Sequence, residues 1–67
     1  MASVVIETDV ARDGLGAFAQ VLAQGTGRGL YCTADQVSSR AAIFRARRWA
    51  KRAGHVVGYV NGHQVRA

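Results

Sequence analysis

Apolar and polar positions along this 67-residue chain fall into four patterned stretches separated by glycine, asparagine and serine. Ser3–Thr8 reads SVVIET, a β-branched run in which Val4 and Ile6 can face a core while Glu7 faces water, so it predicts a strand. From Ala11 to Gln24, Leu15, Phe18, Ala19 and Leu22 recur at helical spacing, and Ala17 and Val21 widen the stripe. That pattern predicts a first helix, weakened in its first turn by Gly14 and Gly16 and ended by the GTGRG run at 25–29.

Farther on, Ala42, Ile43, Ala46, Trp49, Ala50 and Ala53 share one arc of a helical projection, which predicts a second helix with a small-residue core face. Thr33-Ala34-Asp35-Gln36 has the form of a capping box and puts the helix start at Ala34, while Gly54 after Lys51 and Arg52 marks its end. Serine competes for backbone hydrogen bonds, so Ser38-Ser39 allows two readings. One is a continuous helix over 34–53; the other is a short helix and a turn followed by a helix from about Arg40 to Ala53. The last stretch is a hairpin by its turn alone, because Asn61-Gly62 accepts the positive backbone angles of a type I′ turn. Pairing Val60 with His63 sets Tyr59 opposite Gln64 and Gly58 opposite Val65. Simple alternation then puts Val56, Gly58, Val60, His63 and Val65 on one face and Val57, Tyr59, Gln64 and Arg66 on the wetter other one. The expected architecture is a small α+β domain, β-α-α-β-β, spanning residues 1–67 as a single unit.

Size changes this picture in one respect. A chain this short buries only about 60% of the surface its unfolded form exposes, so a lone protomer is marginal and a homodimer is expected. A single cysteine, Cys32, leaves no internal disulfide to help. No apolar run approaches the roughly 20 residues of a bilayer span, and the amino terminus lacks a basic region followed by an apolar one. The expectation is a cytoplasmic chain with no membrane partner, associated with the nucleoid if it binds DNA.

Charge changes the picture more. Residues 1–35 hold two cations against four carboxylates, a net of −2, whereas residues 36–67 hold seven cations and no carboxylate. A block of like charge repels itself unless an anion sits against it, and nucleic acid is the commonest such partner. Arg40, Arg45, Arg47, Arg48, Lys51 and Arg52 fall within an arc of roughly 160° opposite the apolar one, so the helix has a core face and a cationic face. Phe44 and Val37 project into that cationic arc, which is odd for a face that only needs water: the expectation is protein contact, with the first helix or a second protomer, and the alternative is that Phe44 touches nucleic acid. Arginine outnumbers lysine eight to one, and guanidinium makes two-point bonds to phosphate and to the guanine edge. An acidic protein surface is the alternative partner.

Catalysis is not expected. His55, His63 and Cys32 sit in separate stretches without ligand spacing, the carboxylates show no paired spacing, and neither a metal nor a cofactor is implied. GTGRG lacks the Lys-Ser/Thr that a phosphate-cradling loop carries.

Thr33–Ala53 as a helix-turn-helix candidate and His55–Ala67 as a hairpin wing together resemble a winged helix-turn-helix DNA-binding protein. That resemblance implies duplex DNA as partner, Arg40, Arg45, Arg47, Arg48, Lys51 and Arg52 as groove and phosphate contacts, and Tyr59, Gln64 and Arg66 as wing contacts. RRWAKRAGHVV, Arg47–Val57, is similar to a stretch in the DNA-binding domain of actinobacterial xenogeneic silencers, although Val60-Asn61-Gly62 stands where those proteins carry an Arg-Gly-Arg hook. A glycine loop holding Gly27-Arg28 between two helices also resembles the KH fold, which implies RNA or single-stranded ligands. A very small, basic, proline-free chain of this kind further resembles the transcription regulators of phages and mobile elements.

Overall fold

The computed structural model describes residues 3–65. Five strands and one helix run in the order β1 (Ser3–Val10), β2 (Ala17–Ala23), β3 (Gly29–Cys32), α1 (Ser39–Arg52), β4 (Val56–Val60) and β5 (His63–Gln64). The sheet is mixed, with strand order β3-β2-β1-β4-β5. β1, β2 and β3 form an antiparallel meander, α1 crosses one face of the sheet, and β4 returns parallel to β1 with β5 folded back against it. The domain is therefore α+β as expected, but its order is β-β-β-α-β-β rather than β-α-α-β-β. The helix is not long or apolar enough to cross a membrane.

The first expected helix is a turn and a strand. Ala17, Ala19 and Val21 are buried under α1, while Phe18, Gln20 and Leu22 point to the opposite face, so the working period over this stretch is two. Ala, Gln and Leu favour a helix when alone, but here β1 and β3 supply hydrogen-bond partners on both sides of the segment and override that preference. The glycines ahead of it make the turn. Gly14 has φ of +75°, and a Cβ on Gly16 would collide with the Gln36 carbonyl oxygen. Leu15, part of the expected stripe, is 86% exposed.

Thr33–Gln36 does not cap a helix either, because its polar groups are used by β2. The Thr33 amide donates to Ala19 O (2.8 Å), and the Ala19 amide donates to Thr33 Oγ1 (2.9 Å) in a buried position. Gln36 and Ala17 exchange backbone hydrogen bonds of 2.8 and 3.0 Å. Thr33 and Gln36 are thus tied to β2, and the helix begins only where Ser38 Oγ accepts from the Ala41 amide. Of the two readings of 34–53, the helix from about Arg40 to Ala53 is the one formed, without a short helix before it. A helix-turn-helix pair is consequently absent from the described residues, as are helices on both sides of the 25–29 loop, which joins β2 to β3.

The hairpin forms with the expected register: Asn61 and Gly62 have φ of +50° and +81°, Val60 pairs with His63 and Tyr59 with Gln64. Asn61 also ties the turn to β1, since its amide donates to Ile6 O (2.8 Å) and its Oδ1 accepts from the Thr8 amide (2.9 Å). The expected faces of β4 need correction. The pairing with β1 shifts between Val4 and Val5, so Val57 lies beside Val4 and Val60 beside Ile6, both toward α1, while Val56 and Tyr59 share the other face. A bulge at Gly58 breaks the simple alternation there, and a Cβ at Gly58 would lie 2.5 Å from Gln24 Oε1.

The core sits between α1 and the central strands. Ala42, Ala46 and Ala50, one helical turn apart, are fully buried against Val4, Ile6, Ala19 and Val21. Such a row of methyl groups brings the helix axis close to the sheet, leaving little room for anything larger. Ala46→Leu is expected to cost about 1–3 kcal/mol by overpacking. Thr33→Val, which strands the buried Ala19 amide, is also expected to cost about 1–3 kcal/mol, with Thr33→Ser retaining most of the stability. Urea unfolding of the three variants checks both expectations.

Candidate nucleic-acid interface

Because the alanine row faces the sheet, the opposite arc of α1 faces outward, and Arg40, Arg45, Arg47, Arg48, Lys51 and Arg52 are all exposed on it. No carboxylate lies anywhere on this helix. Lys51 and Arg52 occupy its last turn, where positive charge also suits the helix dipole. The crest of the arc is Phe44 and Arg48. Phe44 is 61% exposed, and the Arg48 guanidinium carbon lies 5.9 Å from the centre of its ring, within cation–π range.

The cations divide about that crest. Arg45, Arg48 and Arg52, at spacings of three and four, rim a concavity whose other lining residues are Tyr31 and Trp49. This concavity lies over β3, the edge strand, because Tyr31 pairs with Val21 and so points to the helix side of the sheet. The Tyr31 and Trp49 rings stack with centroids 4.8 Å apart and planes 5° from parallel, and His55 stacks on Trp49 at 5.6 Å. Trp49 therefore joins the core as the apolar arc predicts, yet part of it remains accessible between arginines. Tyr31 falls in none of the patterned stretches of the sequence. The signal that could have found it is the four-residue run Leu30-Tyr31-Cys32-Thr33, whose β-branched and aromatic content suits an edge strand.

Tyr59 and Gln64, the other wing candidates, are not brought together with the helix cations. Both share the sheet face of Val5 and Leu22, away from α1, and the same face holds Glu7 and Asp9. Arg66 lies outside the described residues. The hairpin thus extends the sheet instead of standing beside the helix as a wing. His55, His63 and Cys32 lie in three separate places, and among the described residues no three metal-ligating side chains converge. Comparison with protein-family models, curated proteins and solved structures finds no match for this chain.

The geometry separates two aromatic residues on one helix by what they support. Trp49→Ala removes a ring packed on Tyr31, His55 and the core, and is expected to cost about 3–5 kcal/mol, a large part of a small domain's stability. Phe44→Ala is expected to change stability by less than about 0.5 kcal/mol, because the ring is mostly in water. Thermal and urea unfolding of the two variants, side by side, checks the assignment.

Proposed function

We infer that this chain is a DNA-binding protein that engages the duplex backbone and groove with the outer face of α1. The single observation behind this reading is the six-cation arc without a carboxylate on the helix, centred on an exposed Phe44. Five of the six are arginines, whose planar donors suit phosphate oxygens and guanine edges. The fold supports the reading mechanically. The alanine row holds α1 rigidly on the sheet, so its cations are presented as a convex ridge, the shape that a major groove accepts. The sheet face away from α1 carries Glu7 and Asp9 on its central strand, so the duplex is expected to approach from the helix side.

In this mechanism most of the affinity comes from phosphate neutralisation and counterion release, and any sequence preference comes from whichever arginine reaches a base edge. With four to six phosphates neutralised, log K against log salt is expected to fall with a slope of roughly −4 to −5. Arg47→Ala, away from the core, is expected to leave the fold intact and reduce the magnitude of that slope by about one. Electrophoretic shift and fluorescence anisotropy across a salt series measure both. No duplex binding at about 50 mM salt would overturn the DNA reading and direct attention to an acidic protein partner for the same cations.

A further inference from the structure

Neither the core nor the cationic ridge accounts for two apolar side chains at the end of the sheet where β1 turns into β2. Leu15 and Val37 are 86 and 88% exposed, the most exposed large apolar residues among those described. Both are held in place. The turn at 11–16 is closed by hydrogen bonds from the Ala11 amide to Gly16 O and from the Gly14 amide to Ala11 O, and Asp13 Oδ1 accepts from the Leu15 amide (2.9 Å). Gly16 presses on the Gln36 carbonyl, where no Cβ would fit, and Ala17 and Gln36 exchange backbone hydrogen bonds. Leu15 and Val37 flank this fixed contact and line one concavity of about 290 Å³. The charges around them are of both signs. Asp13 and Asp35 line the same concavity, and Asp35 also borders the neighbouring one, which Arg12 lines.

An apolar centre that carries carboxylates and a cation beside it is complementary to a copy of itself, because a two-fold axis sets each cation against the other copy's carboxylate. We propose that this end of the sheet is the interface of a homodimer, with Leu15 and Val37 of the two copies packed together and Arg12 of each paired with the partner's Asp35. A domain this small gains from covering apolar side chains that its own core cannot reach. No residue of α1 lines either concavity, so the dimer leaves both cationic ridges free. The inference goes beyond the DNA reading and does not depend on it.

Sedimentation equilibrium of the full chain without DNA tests the interface. The wild type is expected to dimerise with a Kd below about 100 μM, and a chain still monomeric at that concentration overturns the proposal. Leu15→Ser/Val37→Ser is expected to keep its circular dichroism, because both side chains are in water in the protomer, and to weaken association by about tenfold or more. Arg12→Asp and Asp35→Arg should each weaken it by about tenfold, whereas Arg12→Asp/Asp35→Arg, which exchanges the paired charges, should return it to near the wild-type value. A dimer indifferent to Leu15→Ser/Val37→Ser, or reversals that do not compensate, places the contact elsewhere and overturns this interface. Electrophoretic shift with duplex DNA is read separately. A dimer that shifts no duplex removes the DNA reading alone, and a strict monomer that shifts duplex removes the interface alone.

Discussion

The close seating of α1 on the central strands is the contact on which the rest of the molecule depends. Ala42, Ala46 and Ala50 present only methyl groups, and beneath them Val4, Ile6, Ala19 and Val21 are fully buried. A small core of this kind gains stability from contact density more than from area, and it has little slack. It also fixes the rotation of the helix. Once positions 42, 46 and 50 point down, Phe44 and Arg48 must point up, Trp49 must lean over β3, and the cations are spread along the remaining arc.

That rotation gives the two layers opposite character. The helix layer is cationic on its outer side, and the far side of the sheet carries the carboxylates of Glu7 and Asp9 among Val5, Leu22 and Tyr59. An anion meets attraction on one side of the molecule and not on the other, which gives the domain an orientation in any electrostatic encounter. The meander shapes the helix layer as well. By tying Thr33 and Gln36 to β2, it places the start of α1 at Ser39 and shortens the helix to fourteen residues, nearly all of them either core or cation.

Local chemistry was sufficient for some of this and not for the rest. Asn61-Gly62 determined the hairpin and its register, because a two-residue turn with both φ values positive has few other solutions. The SVVIET run determined β1, and the spacing of alanines and arginines determined which side of α1 is core and which is cationic, since a 3.6-residue period leaves no choice once the helix exists. The six helix cations of the candidate interface were therefore legible residue by residue.

Tertiary structure decided everything that depended on a partner strand. Ala17–Ala23 satisfies a helical stripe and a strand alternation equally well, and only the backbone donors of β1 and β3 select the strand. Thr33 and Gln36 have the spacing of a capping box, yet their hydrogen bonds are worth more when spent on Ala19 and Ala17, in a place the local sequence does not reveal. The bulge at Gly58 exchanges the faces of Val56 and Val57, while Tyr59 and Gln64 keep the face opposite Val60 that simple alternation gives them. The stack of Tyr31 on Trp49 joins residues eighteen positions apart on two elements. Periodicity and turn chemistry act within a few residues and determined the helix face, β1 and the hairpin; strand pairing and cross-element stacking act between distant segments, and only the folded chain brings those together.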